Sequence, residues 1–308
     1  MAPIRIGTCS WADEALTKHF YPRDVKTAEA RLRYYAERFS TVEVDSTYYR
    51  LPDEAMVARW EERTPAGFVM HVKAFGLMTR HPVRPEQLPP DLREAAPLDE
   101  RGRVDRPPRE FRAEVFDRFH AALEPLRSAG KLGGILLQFP SYVVAKDASR
   151  DYLAWAVEQL RGDRALVEFR HRSWLDEENR AATLSFLEEL GASHVVVDAP
   201  KTEGRNLVPT VVATTSPLAY VRLHGRNAAT WNVRGGSASD RFDYLYSEDE
   251  LREWTEPLRR LGDAAEEVYV LFNNNRWSGT PSGEVVAQAA ANAQALRAIL
   301  ADSGVPNA

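Results

Sequence analysis

Three pairs of ionisable residues each end an apolar segment at a spacing of two: Glu43 with Asp45, Glu168 with Arg170, and Arg222 with His224. Side chains of a strand alternate between faces, so both members of a pair point the same way. Val42, Val44, Val167, Phe169, Val221 and Leu223 occupy the opposite phase and are all apolar. Charge at the buried phase of a strand is costly unless it is paired, so the three pairs are expected to meet in one connected cluster. Other segment ends add His71, Lys73, Gln138, Asp198, Asn273, Asn274 and Asn275. Carboxylates beside an imidazole and an ammonium can supply general acid, general base and charge stabilisation. Glu43, Asp45, Lys73, Glu168 and His224 are therefore the candidate catalytic groups. Arg170, His171, Arg222, Arg226, Asn273 and Asn274 are candidate binders of an anionic group. Trp11, Tyr48 and Trp174, with Trp231 and Trp277 also just beyond strand ends, are candidate flat walls, which together suit a nucleotide or a sugar phosphate. The plainer reading is an inward ion-pair network that only fills the end of a sheet.

The same carboxylates and His224 are hard or borderline donors, so a divalent metal is an option. No HxH or HExxH spacing occurs, and Lys73, Arg170 and Arg222 compete for those carboxylates. No cofactor and no metal ligand is therefore assigned. The single cysteine, Cys9, excludes an internal disulfide and a cysteine-based zinc site.

Eight short apolar segments must position these groups. They are Ile4 to Thr8, Thr41 to Asp45, Phe68 to Lys73, Gly133 to Phe139, Leu166 to Arg170, His194 to Asp198, Leu218 to His224 and Glu267 to Phe272. Helical periodicity between them covers 27–39, 53–63, 114–128, 151–160, 177–190 and a stretch opened by Ser247, and an Ala-rich helix is expected over 283–300. Apolar strands covered on both faces, each followed by a helical segment, predict a single (β/α)8 barrel with a closed parallel sheet. One domain over residues 1–308 accommodates it. Long loops follow strands 3 and 7. The first, 74–108, is rich in proline and charge, and is expected to pass over or beside the C-terminal face.

GTCSW at 7–11, EVDSTYYRLP at 43–52, VKAFGLMTRH at 72–81, KLGGILLQFP at 131–140, VEFRHRSW at 167–174, YVRLHGR at 220–226 and VYVLFNNN at 268–275 resemble the YecE-like family, domain of unknown function 72. The motifs span nearly the whole chain in order. The resemblance implies a TIM barrel and no particular reaction. Cys9 and Asn275 depart from the family pattern.

The net charge of −5 gives no overall field for nucleic acid. Arg80, Arg84, Arg93, Arg101, Arg103 and Arg106 nevertheless keep open a phosphodiesterase or nucleic-acid binder of endonuclease IV type. A non-catalytic ligand-binding protein is the third reading. The first is an enzyme that acts on a small anionic substrate by acid–base or hydrolytic chemistry. The N-terminal segment lacks the apolar stretch of a signal peptide and no run approaches a membrane span, so a cytoplasmic protein without membrane contact is expected.

Overall fold

The computed structural model describes residues 1–202, 204–231, 241–280 and 283–308. Eight strands, β1 (Ile4–Thr8), β2 (Thr41–Val44), β3 (Val69–Lys73), β4 (Leu132–Gln138), β5 (Ala165–Glu168), β6 (Ser193–Asp198), β7 (Leu218–Leu223) and β8 (Glu267–Phe272), form one sheet. They run in the order 1-8-7-6-5-4-3-2, and every ladder is parallel. The sheet curls into a nearly closed barrel, the (β/α)8 architecture expected from the sequence.

At the remaining seam, between β1 and β2, a tyrosine does the work of a ladder. The Thr8 N–H donates to the Tyr35 hydroxyl at 2.9 Å, and that hydroxyl donates to the Thr41 carbonyl at 3.1 Å. Gly7 lies against the same carbonyl, where a Cβ would stand only 2.2 Å from the Thr41 oxygen. The two strands approach this closely because residue 7 has no side chain.

The helices are α1 (Glu14–His19), α2 (Ala28–Ala36), α3 (Glu54–Glu62), α4 (Pro90–Ala95), α5 (Arg109–Ala122), α6 (Glu124–Ser128), α7 (Asp147–Glu158), α8 (Arg180–Glu189), α9 (Glu248–Arg252), α10 (Thr255–Ala264) and α11 (Gln288–Asp302). Local chemistry starts several of them. Thr27 caps α2, Asp53 caps α3, and Ser247 with Glu250 forms a capping box on α9. The helix-facing side of the sheet is the main apolar core, and Val42, Val44, Val167, Phe169, Val221 and Leu223 all belong to it. The polar phase of those strands therefore faces the barrel interior.

Three features differ from the sequence reading. Among the described residues no helix joins β6 to β7; the connection carries Pro200, Pro209 and Pro217, which cannot supply helical N–H groups. The last helix begins at Gln288 rather than Gly283. The preceding residues form β10 (Val285–Ala287), paired antiparallel with β9 (Trp277–Gly279), as the β-branched Val285–Val286 pair favours. Finally, 74–108 is folded on itself. Val83 pairs with Val104, α4 lies within it, and Phe75, Leu77, Met78, Leu88 and Leu92 are buried. Of the loop after β7, 232–240 lies outside the described residues.

Candidate functional site

The inward phase of the strands builds two polar layers inside the barrel. In the lower one His71 packs edge-on against the rings of Tyr220 and Tyr269, with centroids 4.8 and 4.3 Å away. Above it, Arg222 is fully buried and donates to Glu168 at 2.5 Å and to Glu43 at 2.6 Å. Glu168 is the hub of this upper layer. It also pairs with Arg170 Nε at 2.6 Å, accepts from Gln138 Nε2 at 2.8 Å, and lies 3.2 Å from His224 Nε2. Tyr220 donates its hydroxyl to Glu43 at 2.8 Å. Asp45 stands 3.7 Å from both Lys73 and Arg222. All six members of the three sequence pairs therefore share one network.

The surroundings set the charges. Burial works to raise the Glu168 carboxyl, yet Arg170 and Arg222 hold it well below the usual carboxylate range. Burial pushes Glu43 up to about 7 against the pull of Arg222, and neighbouring Asp45 adds to the rise. Burial opposes ionisation of Asp45 too, but Lys73 and Arg222 outweigh it and lower the group. Two adjacent carboxyls driven apart in this way can divide acid and base roles. Burial, reinforced by Arg170, presses His224 down to about 3, so its ring is neutral. Asn273 Nδ2 lies 2.9 Å from His224 Nδ1; donation there places the ring proton on Nε2, facing Glu168.

Above the network a cavity of about 770 Å³ opens at the C-terminal ends of the strands. This is the end at which TIM barrels carry their chemistry. Of the predicted site residues, Trp11, Asp45, Tyr48, Lys73, Arg170 and Asn273 line it. Glu43, Glu168, Arg222 and His224 are fully buried and form the floor beneath it. Lys73 holds its ammonium 4.7 Å over the Tyr48 ring, and Arg170 lies 5.8 Å from the Trp231 ring.

Four predicted residues are not brought into this site. Trp174 is buried, stacked on Phe169 at 4.3 Å, and donates its indole N–H to the Val143 carbonyl. His171 turns back on its own loop, with Nδ1 2.8 Å from Ser173 Oγ. Arg226 pairs with Asp198 at 2.9 Å and Glu253 at 2.9 Å, away from the cavity lining. Asn274 donates to the Tyr244 carbonyl and to Asn292 on the helix side. The cavity also contains residues that the sequence reading did not assign to it, among them Asp13, Tyr49, His81, Arg241 and Arg276. Asn275, Trp231 and Trp277 stand there as well, all three already marked by their places beyond strand ends.

Among the described residues no group of three or more His, Cys, Asp and Glu is arranged to hold a metal ion. The acids of the floor are paired with cations instead. Several loop arginines are likewise held internally: Arg103 by Asp99, Arg93 by the Pro85 and Leu88 carbonyls, and Arg80 over the Tyr152 ring. No described helix is long and apolar enough to cross a membrane.

A family model described as protein of unknown function DUF72 matches residues 5–306. The UPF0759 protein YunF of Bacillus subtilis (strain 168) is 33% identical over 277 residues, which span 88% of this chain and 89% of that protein. Among solved structures, a DUF72 family protein from Thermotoga maritima MSB8 is 30% identical with a TM-score of 0.74, over 97% of this chain and 99% of that one. Another, from Enterococcus faecalis V583, is 26% identical with a TM-score of 0.76, over 97% and 95% of the two chains. Carrying the family's pattern from β1 to the end of α11, on the barrel its solved members share, the chain belongs to the DUF72 family.

Proposed function

We propose that the protein is an enzyme acting on a small substrate that carries a phosphate or carboxylate, by acid–base or hydrolytic chemistry at the C-terminal mouth of the barrel. One observation carries this reading. The buried ionic network is closed at its base but ends, at the cavity, in Lys73, Asp45 and Arg170. Glu43, Asp45 and Glu168 balance Lys73, Arg170 and Arg222 when all six are ionised, so protonation of Glu43 leaves the cluster with a net positive charge. Lys73 and Arg170 would hold the anionic group, and Asp45, backed by Glu43, would move the proton. Glu168, Arg222 and His224 act in this proposal as positioning residues, because they touch one another rather than the cavity. Trp11, Tyr48, Trp231 and Trp277 would cover the rest of the substrate.

The test is calorimetric titration with inorganic phosphate. Lys73→Met is expected to weaken phosphate binding at least tenfold while shifting the melting temperature by no more than a few degrees, since the Lys73–Asp45 pair is long, at 3.7 Å, and Asp45 keeps Arg222 at the same distance. Equal affinity in the variant and the parent would contradict the assignment.

A further inference from the structure

We infer that His81 completes, with Lys73 and Arg170, a three-sided subsite for one oxyanion group of the substrate. The inference rests on the reading of the cavity given above and adds a ligand from outside the strand ends. His81 follows a single 3-10 turn, Gly76–Thr79, and then Arg80, which takes a left-handed conformation with φ of 67°. That turn brings the His81 N–H back to the Gly76 carbonyl at 2.9 Å and sets the ring at the cavity wall. The imidazole meets the Tyr48 ring edge-on, centroids 5.1 Å apart, and the Lys73 ammonium stands 4.7 Å over the same ring. Both groups thus contact the Tyr48 ring.

The ring also has a defined hydrogen-bonding role. His81 Nδ1 lies 2.9 Å from Thr79 Oγ1, and that hydroxyl donates to the Gly76 carbonyl at 3.2 Å. A hydroxyl has one proton, so Oγ1 accepts from Nδ1–H. Nε2 is left with its lone pair for the cavity. Burial, then Lys73 and Arg170, press this ring down to about 3, so it is neutral when the cavity is empty. The charged and titratable groups facing it are Lys73 from β3, Arg170 after β5 and the Tyr48 phenol after β2, with Asp45 behind Lys73. An oxyanion among them reverses the local sign. A proton from solvent then goes onto Nε2, and the imidazolium becomes the third donor to the anion.

The probe is sulfate, which does not titrate in the working range. Histidine-selective ¹³C NMR follows the ring, with the His81 signal identified by its loss in His81→Asn or His81→Gln, whichever keeps the parent melting temperature. Saturating sulfate is expected to move the His81 titration up toward the ordinary histidine value of about 6.5. The substitution is expected to weaken sulfate binding at least threefold at pH 6 and to flatten its pH dependence between pH 6 and 8. Sulfate binding that depends on Lys73 but leaves the His81 signal unmoved would overturn the role of His81 alone. Binding that is absent, or indifferent to Lys73→Met, would overturn the anion site itself.

Discussion

Arg222→Met is expected to leave the protein unfolded or destabilised by roughly 3–5 kcal/mol or more. Arg222 has no exposed surface and bridges Glu168 and Glu43, at 2.5 and 2.6 Å, from opposite sides of the barrel. Methionine fills much of the same volume, so little of the loss comes from a cavity. It comes from two carboxylates left in the interior without their shared cation: Glu168 keeps Arg170 alone as its close guanidinium partner, and Glu43 must remain charged with only the Tyr220 hydroxyl against it or take up a proton. Glu168→Gln is expected to act in the same direction, because it strips the charge that holds both Arg170 and Arg222. A urea unfolding series reads the effect through the midpoint. A loss below about 1 kcal/mol would mean that the network does not support the barrel. Replacements on the floor thus report on folding, whereas replacements at Lys73 and Asp45, on the rim, report on binding.

Stability is expected to fall steeply as the pH drops from about 6.5 to 4.5. Burial presses the rings of His71, His81, His194 and His224 to about 3, 3, 4 and 3. Released by unfolding, each titrates near 6.5. Across this window the unfolded chain therefore binds up to about four protons that the folded chain refuses, and stability rises with pH. Glu43 opposes this. Raised to about 7 in the fold, it holds a proton there that the unfolded chain gives up above about 4.5, so it favours the folded state as pH falls. Four protons against one leave about three, or a slope near 4 kcal/mol per pH unit. Below about 4.5 Glu168 adds to the loss, because its carboxyl is held low in the fold and its contribution disappears as it protonates. Calorimetric melts at half-unit steps from pH 7.5 to 4.5 measure the slope. A melting temperature that stays level from pH 7 to 5 would show that these rings are protonated, and paired, inside the barrel.

The floor of the site was legible in the sequence because burying charge is costly. Glu43, Glu168 and Arg222 sit in the phase opposite to valine and phenylalanine, and a closed barrel leaves that phase only the interior. The same alternation separates the three asparagines. Asn273 and Asn275 line the cavity while Asn274, between them, turns to α11, so carrying the rule two residues past β8 would have placed Asn274 correctly. It fails for Arg226, because Gly225 takes a φ of 88° and breaks the phase inherited from His224. Trp174 lies beyond a strand end as Trp11 does, but the turn that carries it folds back onto Phe169, and residue spacing does not encode that direction. His81 ends the VKAFGLMTRH motif, but its place in the cavity went unread for a different reason. Its place depends on a left-handed arginine and on contact with Tyr48, thirty-three positions earlier in the chain, and neither leaves a periodic trace.

The claim that this cavity recognises an anion through Lys73 and Arg170 is tested most directly by a crystal structure of the protein grown or soaked in phosphate. The account predicts a phosphate at the C-terminal mouth, within hydrogen-bonding distance of the Lys73 ammonium and the Arg170 guanidinium, with the Glu168–Arg222 floor unchanged beneath it. Phosphate bound only elsewhere, such as among Arg5, Arg38 and Arg297 at the opposite end of the barrel, with the mouth holding water alone, would contradict it.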